Sequence, residues 1–272
     1  MKKLCILLLA GTMYILSCSP SEKRYDLPAS LNASQIKFSV SQQQGHDNTV
    51  YLKSLTPGVI PFWDYVDGTS TLANDTVILP FSGEYTIKYS ANAPGGFVQG
   101  DSVKIKVTNT DLSSITDPQW AYLTNGQAGK TWVLDMQAPV GWYGMEYGKG
   151  SGDDWLWHPD YLGNEWVMPN KDYGSMTFDL NSAKNYKRIT YDANNNPVTC
   201  TGKFDLNVAN LTIKLIGCEL LYGGDYYKNA SNWRDLKILA MSASSMVLGV
   251  VRDKPNPGDG VCYIGFKFKL QP

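Results

Sequence analysis

The segment from Gly141 to Gly174 holds the side chains best suited to binding a ligand. Positions 141–173 contain eight aromatic residues in 33, about twice the 12% aromatic content of the whole chain. They are Trp142, Tyr143, Tyr147, Trp155, Trp157, Tyr161, Trp166 and Tyr173. Sugars present flat C–H faces and rims of hydroxyl groups. Indole rings beside carboxylates and amides therefore indicate a carbohydrate-binding surface.

Seven residues of this segment are the candidate ligand contacts: Trp142, Tyr143, Trp155, Trp157, His158, Tyr161 and Trp166. In an extended chain Trp155 and Trp157 project to the same side, and Pro159 favours an extended backbone at His158. The competing interpretation is that the rings cover one open end of a β-domain as core, because large aromatic side chains are mostly buried. Eight rings are more than such a cap needs, so we expect a binding face.

Glu146 and Glu165 suggest an alternative chemistry. A glycosidase needs two carboxyl groups about 5–10 Å apart, one as acid and one as base or nucleophile, and Glu219 is the only other glutamate after residue 120. The chain lacks the Glu-x-Asp-x-Glu run of glycosidases that resemble laminarinases, and it has no Gly-x-Ser-x-Gly elbow. We expect binding without catalysis, and keep hydrolysis by Glu146 and Glu165 as the alternative.

The composition argues against two other ligand classes. The 272 residues include 24 Lys+Arg and 25 Asp+Glu, a net charge of −1, which leaves no basic field for nucleic acid. Two histidines are too few for the commonest zinc enzymes. Asp153, Asp154 and Asp160 would suit Ca²⁺ among loop carbonyls, although their spacing matches no EF-hand. We expect no other cofactor.

The first residues indicate export and lipid attachment. Positions 1–17 combine two lysines with an apolar run that has the length of a secretory signal and is too short to span a bilayer. The run ends at Ile15-Leu16-Ser17-Cys18, which resembles the lipobox of bacterial lipoproteins. The resemblance implies cleavage before Cys18, lipidation of its thiol and a tether over residues 18–25. An ordinary secretory signal is the alternative.

Residues 26–110 show short alternating strand patterns broken by turn residues. Phe62–Ser70 and Phe81–Ile87 resemble the Trp-Asp-Phe-Gly-Asp-Gly signature and the following Gly-x-Tyr strand of PKD domains, with Val66 in place of the first glycine. The resemblance implies an immunoglobulin-like β-sandwich that acts as a spacer, with Trp63 as a core anchor. Residues 111–119, which include the strand-breaking Pro118, are the expected linker.

Residues 120–272 again show a β pattern, with about eight candidate strands between turn sequences. Eight strands suit a jelly-roll β-sandwich, with an eight-stranded up-and-down barrel as the alternative, because periodicity does not show strand order. The expected fold is therefore all-β: an immunoglobulin-like, PKD-like sandwich followed by a jelly-roll, carbohydrate-binding-like domain.

Three cysteines remain after the lipidated Cys18, an odd number that leaves at least one free or paired between molecules. Strict alternation puts Cys200 and Cys218 on opposite faces of a predicted hairpin. A bulge at Gly217 would allow them to pair. Without it we expect buried, unpaired structural cysteines.

The order of these parts resembles the surface glycan-binding lipoproteins of gut Bacteroidetes-type bacteria. The resemblance implies a lipid-anchored, surface-exposed protein of the outer membrane that holds a glycan for outer-membrane transport and glycosidase partners. The rival class, besides a glycosidase, is a structural or adhesive lipoprotein whose aromatic rings are core. Exposure of the tryptophans separates the classes, because a binding face needs accessible rings.

Overall fold

A computed structural model describes residues 28–272 except Asp67, Asp160 and Leu162. The predicted signal peptide, Cys18 and the tether lie outside the described residues, as does Asp67 of the PKD-like signature. No helix within the described part of the chain is long and apolar enough to cross a bilayer. The protein is all-β, as the sequence predicts.

Seven strands form two antiparallel sheets in the N-terminal part. They are β1 (Phe38–Gln43), β2 (His46–Ser54), β3 (Ile60–Asp64), β4 (Thr69–Ser70), β5 (Asn74–Ile78), β6 (Gly83–Ala93) and β7 (Gly96–Val107). One sheet has the order β1-β2-β5 and the other β4-β3-β6-β7. Alternate residues of both sheets share one core, in which Trp63 is fully buried and its ring lies 4.5 Å from that of Tyr89. Trp63 is thus a core anchor, as predicted.

The connection to the C-terminal part is packed against that part's core. Pro118 begins the helix α1 (Pro118–Thr124), because proline fits the first helical position, and the Asp117 carboxylate caps the helix by accepting from the Gln119 N–H at 2.9 Å. Leu112 and Ile115 pack on the C-terminal core, and Phe81 is buried within it. Short 3₁₀ turns lie at Ala33–Gln35, Gly126–Ala128, Glu165–Val167 and Tyr227–Asn229.

Ten strands form the C-terminal sheet. They are β8 (Lys130–Leu134), β9 (Val140–Tyr143), β10 (Leu156–Trp157), β11 (Ser175–Asp179), β12 (Asn185–Tyr191), β13 (Pro197–Asn207), β14 (Thr212–Ile216), β15 (Asp235–Met241), β16 (Ser245–Val251) and β17 (Tyr263–Leu270). From β11 to β17 each strand pairs with its successor, and β8 pairs with both β11 and β17. Eight strands therefore close into an up-and-down barrel. This is the alternative arrangement and not the jelly roll, because a jelly roll needs connections that cross between two sheets.

The barrel interior is filled with side chains. Trp132, Phe178, Phe204, Phe266 and Phe268 are all fully buried inside it. An eight-stranded barrel has an interior just wide enough for such side chains. Because this interior is packed, a ligand of any size must bind at an end of the barrel or on its outside.

At one end the wall of the barrel is open. β8 pairs with the last residues of β17, and β9 continues along the first residues of β17. On its other side β9 pairs with the two-residue strand β10 and not with β11. In an antiparallel meander alternate connections share an end, so the β10–β11, β14–β15 and β16–β17 connections all lie here.

A disulfide bond joins Cys200 and Cys218, which corrects the expectation of unpaired cysteines. Strand β14 ends at Ile216, and Gly217 has a φ of +91°, a value that residues with a side chain rarely adopt. Strict alternation therefore stops before Cys218, and the two Cα atoms lie 6.0 Å apart. Cys262 is a buried free thiol whose pKa is raised by burial.

Candidate functional site

A cleft of about 1010 Å³ lies at the open end of the barrel. Its aromatic lining consists of Trp142, Trp155, Trp157, Trp166, Tyr173 and Tyr226. Its charged and amide lining consists of Lys171, Asp225, Lys228, Arg252, Asp259, Asn229 and Asn256. Small-molecule sites are usually lined by aromatic and apolar side chains with a smaller number of polar groups, and this cleft combines such an aromatic wall with a larger polar lining.

Three of the four cleft tryptophans are accessible. The exposed fraction is 40% for Trp155, 51% for Trp157 and 77% for Trp166, against 9% for Trp142. Trp142 and Trp157 are paired across β9 and β10, and their ring centroids are 4.8 Å apart at an interplanar angle of 48°. Trp155 and Trp157 line the same cleft, as the alternation predicts. The rings therefore form an angled wall and not a flat platform.

The indole N–H groups of two exposed tryptophans each donate a hydrogen bond to the side chain two positions earlier in the sequence. The indole Nε1 of Trp166 donates to Oδ1 of Asn164 at 2.9 Å, and that of Trp155 donates to Oδ1 of Asp153. In each case the N–H group is already used within the protein. The ring faces, and not these N–H groups, are what Trp155 and Trp166 offer to a ligand.

Asp153 and Asp154 also shape the loop between β9 and β10. Oδ2 of Asp153 accepts from the Met145 N–H at 2.9 Å, and the Asp154 carboxylate accepts from Gly148 and Gly150 at 2.9 and 2.6 Å. Their oxygens are thus directed at backbone donors. Asp160 lies outside the described residues, and the described residues contain no group of three or more potential metal ligands. The calcium prediction gains no support from this arrangement.

Three tyrosine hydroxyls bind three consecutive carbonyls in the segment before β11. Tyr226 donates to Val167 at 2.6 Å, Tyr161 to Met168 at 2.6 Å, and Tyr173 to Pro169 at 2.7 Å. Burial raises the pKa of Tyr226 to about 12 and raises the pKa of Tyr161 and Tyr173 as well. All three are therefore protonated donors at neutral pH, and they hold the segment that carries Trp166 and Lys171.

The carboxylates of the cleft are engaged in ion pairs. Nη1 of Arg252 lies 3.1 Å from Oδ2 of Asp259, and Nη2 donates to the Gly260 carbonyl at 2.8 Å. Nζ of Lys228 lies 2.5 Å from Oδ2 of Asp225. These groups give the aromatic wall a polar rim.

Three of the predicted contacts do not line the cleft. Successive residues of a strand point to opposite faces, so Tyr143 lies on the other side of β9 from Trp142, with its ring 4.8 Å from that of Tyr147. His158 follows Trp157, is exposed, and is likewise absent from the cleft lining. Tyr161 is buried. Only the tryptophans of the predicted set lie together in the cleft.

The predicted hydrolytic pair is not in the cleft either. Glu146 lies in the β9–β10 loop and pairs with Lys149, while the exposed Glu165 is the first residue of a 3₁₀ turn. Among the described residues, the two carboxylates that line the cleft are Asp225 and Asp259. A hydrolase that uses Glu146 and Glu165 therefore has no support from this geometry.

Half of the cleft comes from loops that the sequence patterns alone do not single out. Tyr226 and Lys228 belong to the β14–β15 connection, and Arg252 and Asp259 to the β16–β17 connection. The up-and-down barrel, which the sequence analysis keeps as the alternative fold, would have identified these loops through its strand order. In a meander, these connections must lie beside the aromatic segment that precedes β11.

Comparison with protein-family models and with curated protein sequences finds no match for this chain. The cleft itself must therefore carry the functional argument. It joins accessible indole faces to a hydrogen-bonding rim at the end of a packed barrel.

Proposed function

We propose that the protein binds a polysaccharide or oligosaccharide in this cleft. The observation that carries the proposal is that four tryptophans line one cleft, three of them with 40–77% of their surface exposed. Tryptophans that served only as core would be buried, as Trp132 is. Contiguous exposed aromatic surface with a polar rim is typical of a ligand-binding groove.

The cleft chemistry suits sugar recognition. The faces of Trp155 and Trp166 are free while their N–H groups are held, so each ring is oriented for stacking against sugar C–H groups. By analogy with aromatic pairs, each stacked ring contributes about 0.5–1.5 kcal/mol beyond the area it buries. The exposed Asn256 supplies an amide group to the rim for sugar hydroxyls, whereas the buried Asn229 donates its amide to the Lys254 carbonyl at 3.1 Å.

Binding without hydrolysis fits the carboxylates better than catalysis does. A general acid needs a raised pKa, which usually requires burial, whereas the side chain of Asp225 is 88% exposed and pairs with Lys228. Asp259 is paired with Arg252. We therefore propose a binding protein and not a glycosidase.

The wider setting of the proposal is a lipid anchor at Cys18 and a PKD-like, immunoglobulin-like spacer that presents the cleft at the surface of an outer membrane. All the described residues that line the cleft lie between Trp142 and Asp259, which supports a spacer role for the N-terminal sheets. Outer-membrane transporters and glycosidases are the proposed partners. Cys18→Ala should release the protein from the membrane fraction, and unchanged retention would contradict the anchor.

The central test combines a polysaccharide array with one double variant. We expect the protein to bind at least one polysaccharide, and Trp155→Ala with Trp157→Ala to weaken that binding about tenfold or more. Phe62→Ala is the control, since this phenylalanine is 41% exposed but lies in the N-terminal sheet.

Thermal melting of the same variants distinguishes binding residues from core residues. The double variant should melt nearly as the parent does, because exposed rings contribute little to the fold. Intact binding together with lost stability would contradict the proposal. Reducing ends released from the bound polysaccharide would show a hydrolase instead.

A further inference from the structure

The cleft carries a positive charge that its own carboxylates do not balance. Of its three cations, Lys228 is paired with Asp225 and Arg252 with Asp259. Lys171 forms no ion pair with any of the described residues; its Nζ instead lies 5.1 Å from the ring centroid of Tyr173. One uncompensated ammonium group therefore stands at the edge of the aromatic wall.

A second hollow, of about 710 Å³, adjoins the cleft and shares Lys171 and Tyr173 with it. This basic groove runs along the outside of β8, β11 and β12 and is also lined by Lys187 and by Lys269, whose Nζ lies 3.8 Å from Oδ1 of Asp135. Asp172 is the one carboxylate in its lining among the described residues. The groove thus places Lys187, a second lysine without an ion pair among the described residues, along the barrel from Lys171, with the Asp172 carboxylate beside them.

The Asp172 carboxylate is engaged within the protein. One oxygen accepts from the Tyr191 hydroxyl at 2.9 Å, and the other from the Gly174 N–H at 2.7 Å. Lys187 is exposed and has no ion pair among the residues that the structure describes. The lysine side chains are therefore accessible to anionic groups of a ligand.

We propose that the ligand is an acidic saccharide chain, with sugar rings on the cleft tryptophans and carboxylate or sulfate groups at Lys171 and along the basic groove toward Lys187. This inference rests on the proposed function and names the chemical class of its ligand. The protein as a whole has a net charge of −1, so the basic path is a local feature and not a consequence of composition. A lysine ammonium acts as a point charge and suits either anion.

The test compares polysaccharides that differ in charge. The probes are hydroxyethyl cellulose with carboxymethyl cellulose, galactan with polygalacturonate, and dextran with dextran sulfate, measured by titration at 50 mM NaCl. We expect the acidic member of at least one pair to bind about tenfold more tightly than its neutral partner. Raising NaCl to 1 M should remove most of this difference, because the screening length falls to about 3 Å.

Variants of the lysines locate the effect. Lys171→Gln should weaken binding of the acidic probe about two- to fivefold, the range of a solvent-exposed ion pair, and weaken binding of a neutral probe by a clearly smaller factor. Adding Lys187→Gln should weaken it further. Lys214→Gln is the matched control, because Lys214 is an exposed lysine on β14 away from the cleft and the basic groove.

The outcomes separate this inference from the proposed function. Equal binding of neutral and acidic members in every pair, unchanged by Lys171→Gln, would overturn the acidic ligand and leave glycan binding standing. Failure of all six probes to bind would overturn the acidic ligand, and failure of every polysaccharide on the array as well would overturn glycan binding. A preference confined to carboxymethyl cellulose and polygalacturonate would assign a carboxylated ligand, and one confined to dextran sulfate a sulfated ligand; each supports the inference.

Discussion

The hydroxyl group of Tyr226 donates a hydrogen bond to the carbonyl oxygen of Val167 at 2.6 Å, across 59 positions of sequence. This bond joins the β14–β15 connection to the segment that carries Trp166. Tyr161 and Tyr173 bind the next two carbonyls of the same segment. The cleft is thus built from loops that are tied to each other, so its aromatic wall is arranged before a ligand arrives.

Removal of this bond should loosen the cleft. Tyr226→Phe leaves the Val167 carbonyl without its donor, and we expect the free energy of unfolding to fall by about 1–3 kcal/mol, the cost of an unpaired, partly buried group. Glycan affinity should fall several-fold, since Trp166 is then less well positioned. Chemical denaturation and titration measure the two effects. Tyr51→Phe is the control, because Tyr51 is 42% exposed and lies in the N-terminal sheets. Equal losses of stability and of glycan affinity in the two variants would contradict the prediction.

Alkaline pH should act through the same tyrosine. Burial raises the pKa of Tyr226 from 10 in the unfolded chain to about 12 in the folded protein. A raised pKa means that the protonated form is favoured by folding. The contribution of protonated Tyr226 to the free energy of unfolding is complete below pH 10 and is lost as the pH rises toward 12. Denaturation midpoints measured at pH 8, 10 and 11 should fall between pH 10 and pH 11. The midpoint of Tyr226→Phe should fall less over this interval. A pH profile identical to that of the parent protein would argue against a role for Tyr226.

The hydrogen bond from Trp166 to Asn164 should matter for affinity more than for stability. Asn164→Leu removes the acceptor at 2.9 Å and lets the indole ring, which is 77% exposed, rotate. A single hydrogen bond of about 0.5–1.5 kcal/mol corresponds to a two- to tenfold loss of glycan affinity. Asn164→Asp keeps an acceptor and should bind close to the parent. Calorimetric titration of both variants tests this, and equal losses would refute the positioning role.

The disulfide bond between Cys200 and Cys218 should stabilise the barrel. Replacing both cysteines by alanine removes a cross-link over 18 positions, and we expect a loss of about 2–4 kcal/mol in the free energy of unfolding. The parent should lose a similar amount in reducing agent, while the double variant should be insensitive to it. A parent whose melting temperature does not change on reduction would contradict the prediction.

Phe81 should couple the N-terminal sheets to the barrel. It precedes β6 but is buried in the C-terminal core, and the neighbouring Ser82 lies 3.2 Å from Ser182 between their hydroxyl oxygens. Phe81→Ala should cost about 3–5 kcal/mol and leave glycan affinity unchanged where the protein is folded. Phe97→Ala, at a residue that is 64% exposed, should cost far less. Similar melting temperatures for the two variants would show that Phe81 does not join the two parts.

The local sequence pattern was enough to predict the fold class and the faces on which some side chains lie. Alternation of apolar and polar residues predicted an all-β protein and a common side for Trp155 and Trp157, while the resemblance to PKD domains implied the burial of Trp63. Each of these depends on neighbours in sequence, because strand periodicity decides which side chains share a face. The aromatic content of positions 141–173 likewise directed attention to the segment that lines the cleft.

Strand order and loop position were decided only by the tertiary structure. The closure of β8 on both β11 and β17 makes a barrel, and it places Tyr226 and Arg252 beside Trp157 although they are distant in sequence. The pairing of Trp142 with Trp157 puts Trp142 on the cleft side of β9 and Tyr143 on the opposite face, and the left-handed φ of Gly217 lets Cys218 reach Cys200. Periodicity reports the face on which a side chain lies, but pairing between distant strands determines which faces and loops meet.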